Sequence, residues 1–345
     1  MQMRFDAFFS SKGGICRDMF SEIPLIQSYL LYARAEIDVL RKGEHNIPPI
    51  YVDLINNPAL NATAARSGNQ YFIGIYIGAI LQSFAVFSRM MASNTILTDI
   101  GSAALEDPPQ KMHDIQLKET IHPLLSFTRE LVPKDPIRNE VVKMFVKHVL
   151  DFLIFHEYAH IVYGHVDYRN SKQQSVFADN VVLQALETSA DGFSTFISMM
   201  LLYKALSDEN PIIPKALRSH YKDRYTALRM WLFPIYTYFR LFGHMNLQYC
   251  TITESHPSPG YRVNLIVEAI DTFKELGFAN DDQLLEHCID ILIEVEEAFA
   301  QISEQGLDIR PLHTSLSEEP QKCTNDLFAK EIEIFDLLKE YSYIH

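Results

Sequence analysis

Apolar and polar positions alternate along this chain with periods that mark out most of its elements. From Pro24 to Arg41 apolar residues recur at three- and four-residue steps, the spacing of one helical face. Ile50 to Ile55 (IYVDLI) is a short β-branched run stopped by Asn56, Asn57 and Pro58, which predicts a strand. Ser67, Gly68 and Asn69 supply turn chemistry; Tyr71 to Ile77 then reads as a second strand, and Gly78 opens a helix to about Met91. Between 106 and 139 the prolines Pro108, Pro109, Pro123, Pro133 and Pro136 predict a loop-rich connection with short helical pieces. Glu140 to about Tyr163 predicts a long helix that is apolar on nearly every face, the pattern of a helix in the middle of a core or a bilayer. Gly164 is its natural stop. Val182 to Leu206 repeats the helical spacing through Leu183, Leu186, Ala190, Phe193, Ile197 and Met200. Helices are also expected over Tyr221–Phe242, Gly260–Leu276, Asp281–Ser303 and Asn325–Tyr341. The predicted class is α+β, mainly α-helical, with a small sheet.

Two runs raise the question of a membrane. Tyr71 to Met91 contains Gly74, Gly78, Gln82, Ser83 and Arg89 and opens on β-branched and aromatic residues, which fits a buried strand followed by a helix better than a span of ~20 apolar residues. Trp231 to Phe242 is too short for a span, is bracketed by Arg229 and Arg240, and contains Pro234. Membrane insertion is therefore not expected.

Composition narrows the partners. A chain of 345 residues with 48% hydrophobic and 21% charged residues is globular in make-up. Its net charge of −14 argues against nucleic acid as a partner, because phosphate binding relies on clustered Lys and Arg. Cys16, Cys250, Cys288 and Cys323 lie far apart, with no CxxC spacing, so neither a disulfide framework nor a cysteine-rich zinc site is expected. Asp6, Lys12 and Arg17 break any apolar run near the N-terminus, so no signal peptide is expected. Together these readings point to a reducing, cytoplasmic setting.

The strongest chemical signal is HEYAH at 156–160. Residues four apart share a helix face, so His156 and His160 can direct ring nitrogens at one ion, with Glu157 at the edge of that face, in reach of a water bound there. Two imidazoles and a carboxylate on a buried helix would be costly without a metal. A catalytic zinc takes three protein ligands and leaves a position for water. A third His at metzincin spacing is absent: Gly164 and His165 stand four and five residues after His160, and His165 reads as a surface residue or one supporting a ligand. The segment ALETSADGF (185–193) offers Glu187 instead, completing a His2Glu site, with Asp191 one turn on to accept the second N–H of a ligating His. In HPSPGYR (256–262), Arg262 falls in the first turn of a helix, where the dipole disfavours a cation, so an acidic partner among Glu157, Glu187 and Asp191 is expected.

HEYAH followed by LETSAD resembles the gluzincin pattern HExxH…ExxxD. NATAARSGNQYFIGIYIGAI (61–80) resembles the strand–turn–strand–helix segment of the HtpX and CAAX-prenyl-protease peptidases, and ESHPSPGYRV (254–263) resembles their later HPxxxxR element. The four elements occur in the family's order over about residues 50 to 265. A looser resemblance, in size and absence of membrane anchors, is to phage-exclusion peptidases of the Lit type. The resemblance implies a zincin-like catalytic domain over 50–265, after a helical segment at 1–49 and before a helical C-terminal region at 266–345 packed on it. It implies one zinc ion on His156, His160 and Glu187, Glu157 as general base, Asp191 in support, and His256 and Arg262 near the site. The expected activity is hydrolysis of a peptide bond in a protein or peptide substrate, with His256 or a tyrosine as second donor to the oxyanion and the Tyr71–Ile77 strand offering its edge to the substrate. The alternatives are a membrane-associated HtpX-like protease and an inactive protein that keeps zinc for stability.

Overall fold

The computed structural model describes residues 1–16, 24–42, 46–112, 131–171, 179–206, 213–242, 256–273, 283–304 and 306–344. Its helices are α1 (Gln2–Phe9), α2 (Pro24–Arg41), α3 (Ile77–Met91), α4 (Pro136–Val162), α5 (His165–Ser171), α6 (Asn180–Ala205), α7 (Arg224–Arg240), α8 (Pro259–Thr272), α9 (Gln283–Ile302), α10 (Arg310–Ser315) and α11 (Glu318–Leu338). Strands β1 (Ile50–Ile55), β2 (Ala62–Arg66) and β3 (Tyr71–Tyr76) form one sheet in the order β1-β3-β2. The chain is thus mainly helical with a small sheet.

The long helix α4 organises the rest. Asp135 caps it, accepting from the backbone N–H groups of Ile137 and Arg138, and Pro136 takes the first turn, where no N–H is needed. The helix therefore starts four residues before the expected Glu140. The prolines that marked this stretch as loop include one that begins a helix. From Val141 to Val162 nearly every side chain is buried, and α4 packs against α3, α6 and α7.

β3 runs parallel to β1, with Ile50 opposite Tyr71, and antiparallel to β2, with Ala62 opposite Ile75. All six residues of β3 are buried, as suits a strand paired on both sides. The expectation that the Tyr71–Ile77 strand offers a free edge is corrected: both its edges are taken, and β1 and β2 are the outer strands. The turn from β2 to β3 closes with Ser67 N–H donating to the Gln70 carbonyl and Gly68 at φ 60°. At the start of α3, Gly78 lets the helix pass the preceding loop, since a Cβ there would lie 2.0 Å from the Pro58 carbonyl oxygen. The Tyr71–Met91 run is a strand followed by a helix, and no helix among the described residues is long and apolar enough to cross a membrane.

The main apolar core runs from Cys16 to Leu312. A second cluster joins α6 to α11 through Leu183, Leu186, Leu327 and Ile334; a third seats Phe5 and Phe9 of α1 on Phe72 and Tyr76. Residue 265 lies inside α8, whose Val263 and Ile266 belong to the main core, and α2 packs on β1 across the boundary at 49. Helix α1 lies in the helical segment expected at 1–49 and α10 in the helical region expected at 266–345; no separate helix is expected at α5, and α11 begins before the expected Asn325. The expected helix ends beyond Phe273 and before Gln283 lie outside the described residues, as does most of the proline-rich connection. Cys16 and Cys288 are buried free thiols, but Cys323 is disulfide-bonded. One bridge makes no disulfide framework, but it weakens the case for a reducing setting drawn from the spacing of the cysteines.

Candidate metal centre

Helices α4 and α6 pack closely, and the site forms where their polar residues face each other. His156 and His160 project from one face of α4, Glu187 and Asp191 from one face of α6, and all four are buried. Small residues on α6, among them Ala190 and Ser194, permit the approach, and the Ser194 hydroxyl donates to the Phe152 carbonyl of α4 at 2.8 Å. The Nε2 atoms of His156 and His160 lie 3.1 Å apart. Glu187 Oε2 is 3.1 Å from His156 Nε2, and Oε1 is 3.4 Å from His160 Nε2. Ligands at about 2.0–2.1 Å from a tetrahedral zinc stand roughly 3.3 Å from one another, so the three donors already have the separations of ligands around one ion. His156, His160 and Glu187 thus form a buried group able to hold one metal ion.

Two buried carboxylates set the charge around the histidines. Burial alone would lower the His156 pKa, but hydrogen bonds and charge from Asp191 and Glu187 outweigh it and raise it to about 10. Burial likewise opposes ionisation of Glu187, yet His160 and His156 opposite hold its carboxyl well below the ordinary range. Asp191 accepts from His156 Nδ1 at 2.8 Å and is gripped from the other side by Arg262, with Nε 2.7 Å from Oδ2 and Nη2 2.6 Å from Oδ1. Burial would raise the Asp191 pKa; the Arg262 charge and hydrogen bonds lower it. Arg262 also lies 4.7 Å from the centre of the Phe239 ring. The cation in the first turn of α8 has its acidic partner, and that partner is Asp191.

A cavity of ≈ 500 Å³ opens onto this group. Glu157 lines it, 6% exposed, and its carboxylate accepts no hydrogen bond among the described residues. Ala62, Thr63 and Ala64 of β2 also line it, and β2 is an outer strand whose second edge pairs with no strand among the described residues. Phe152, Phe239 and Phe242 form an apolar side, and Tyr238 faces the same space. His256 sits at the rim, its side chain 56% exposed and Nε2 3.8 Å from Glu187 Oε2, beyond direct hydrogen-bond range. The structure therefore gathers His156, Glu157, His160, Glu187, Asp191 and Arg262 closely and leaves His256 at the margin. His165 is no surface residue: it is 1% exposed and packed against His160. Sequence reasoning missed Tyr238 and Lys12 on the cavity wall, because neither stands in a motif and only the fold of α7 and the turn after α1 delivers them. No family model, curated protein or solved structure matches the chain.

Proposed function

We propose that the chain is a zinc-dependent peptidase of the gluzincin type, with a zincin-like core, that hydrolyses a peptide bond of a protein or peptide substrate. The observation that carries this reading is Glu157: a nearly buried carboxylate with no hydrogen-bond donor among the described residues, one residue from a metal ligand, opening onto a cavity lined by the outer strand β2. The inactive, zinc-stabilised alternative gives no reason to keep such a carboxylate. His156, His160 and Glu187 hold the ion, and a His2Glu donor set favours zinc with one position left open. Zinc, when bound, supplies Lewis acidity toward water and the scissile carbonyl.

The chain's own residues do the rest. Asp191, braced by Arg262, fixes the ring of His156 with Nε2 toward the ion. Glu157 takes the proton of the attacking water and passes it to the leaving amine. Tyr238 and His256 are the wall residues placed to donate to the developing oxyanion. An extended substrate pairs with the β2 edge at Ala62–Ala64, where backbone hydrogen bonds bind it without regard to side chains. The test combines metal analysis of the purified chain with mass spectrometry of a peptide library. One equivalent of zinc and cleavage by the wild type are expected, and Glu157→Gln should keep the zinc and lose at least about 100-fold in turnover. A Glu157→Gln variant as active as wild type would remove Glu157 from the mechanism. Wild-type protein that takes up no divalent metal would end the reading altogether.

A further inference from the structure

His165 faces His160 across the turn between α4 and α5. Their Nδ1 atoms stand 3.0 Å apart, and both rings are buried. Two ring nitrogens at that distance share one proton, so one donates and the other accepts. His160 presents Nε2 to His156 and Glu187, and a ligating nitrogen carries no proton. The neutral His160 ring therefore has its proton on Nδ1 and donates it to His165. The proton left to His165 sits on Nε2, 3.4 Å from the Ser189 hydroxyl, which donates in turn to the Leu186 carbonyl at 3.2 Å. Each proton in this row has an acceptor, and the row ties α4, α5 and α6 together.

We infer that His165 is a positioning residue for the metal centre, a neutral imidazole that fixes His160 in the Nδ1–H tautomer with Nε2 free for the ion. This rests on the metal-centre reading above and extends it: the two ligating histidines are held by different chemistry. His156 leans on a carboxylate, whereas His160 leans on another imidazole. The placement of His165 depends on Gly164 at φ 78°, where the chain leaves α4 and enters α5 without a longer loop. A Cβ at Gly164 would lie 2.5 Å from the Tyr341 carbonyl carbon, so the C-terminal stretch closes over the same turn. Without His165, the Nδ1–H of His160 would be a buried donor with no acceptor.

The experiment compares zinc dissociation constants, by chelator competition, for wild type, His165→Leu, His165→Asn and His165→Gln, with melting of the metal-free proteins as the check on folding. Leu fills the space without an acceptor and should weaken zinc about 10–100-fold. Asn places its amide oxygen where the imidazole has Nδ1 and should bind within about threefold of wild type. Gln carries its oxygen one bond farther out and should behave like Leu. If Leu prevents folding, the contrast of Asn with Gln decides. Wild-type affinity in the Leu or Gln variant overturns the inference, as does an Asn variant as weak as Gln. Wild type that fails to bind zinc removes the metal-centre reading and this inference with it, whereas tight wild-type binding with no effect at position 165 removes this inference alone.

Discussion

Asp191 is fully buried and would be an unfavourable charge were it not shared between two cations or near-cations. It receives the Nδ1–H of His156 on one side and the fork of Arg262 on the other. Removing one member of such a buried trio strands the others, which is costlier than the trio's net contribution to stability. Asp191→Asn keeps the shape but loses the charge, leaving Arg262 buried beside an amide that also directs hydrogens at it. That variant should weaken zinc about 10–100-fold and lower the melting temperature. Arg262→Gln frees the carboxylate from its brace while leaving it opposite His156, so its effect on zinc should be smaller. Because both act on His156 through one carboxylate, the double variant should lose less than the sum of the two singles. Chelator competition on the four proteins measures this. Additive losses would mean that Arg262 influences the centre by another route.

Among the elements, α4 carries both histidines of the candidate centre, and its N-terminus is firmly secured. Arg138, 0% exposed, donates to the carbonyls of Met91, Ser93, Ile96, Leu97 and Ile100, closing the loop after α3 onto α4. Arg138→Met leaves those carbonyls buried and without their donor and should cost more than about 3 kcal/mol, read as a shift in denaturant midpoint. A shift under 1 kcal/mol would show that the loop can satisfy itself. Helix α11 holds Glu331, whose pKa burial raises to about 7. The neutral carboxyl suits that position, so its contribution to stability is complete below the ordinary value of 4.5 and is lost as the pH rises through about 7. Glu331→Gln is neutral throughout; its gain in melting temperature over wild type should be near zero at pH 5 and largest at pH 8. An equal difference at both values would contradict the assignment. What the sequence disclosed follows the same division between local and distant causes. The helical period and HExxH located α4, LETSAD located the ligating face of α6, and the misplaced charge of Arg262 pointed to an acid. β2 was not found by periodicity, since ATAAR neither alternates nor carries the β-branched bulk of IYVDLI. That β3 lies between the other strands is a property of pairing, which no single strand's residues report. His165 was judged by its distance from His160 along the chain, while the turn at Gly164 folds it back against His160 and Ser189, where it is buried.

At the scale of the whole molecule, the candidate centre joins parts that the chain keeps distant. α4 and α6 supply donors, α8 braces them, and the main core on which all three rest draws on residues from Cys16 to Leu312. An ion bound between α4 and α6 is available to the folded chain and lost on unfolding, so its binding energy adds to stability. At a free zinc concentration one hundred times the dissociation constant the gain is about 2.7 kcal/mol, or about 4 °C in melting temperature for a chain of this size. The net charge of −14 complicates the comparison, because an acidic protein gains from any divalent cation through diffuse attraction. The decisive measurement is therefore a difference of differences. Wild type and His160→Ala are each melted with zinc, with magnesium and with a chelator. Diffuse attraction stabilises both proteins under both metals, while a specific centre gives wild type an increment with zinc alone that His160→Ala lacks. The expected result is a zinc-specific rise of about 4 °C in wild type and none in the variant. Equal responses in the two proteins would mean that zinc acts on the surface charge and that no ion joins the two helices.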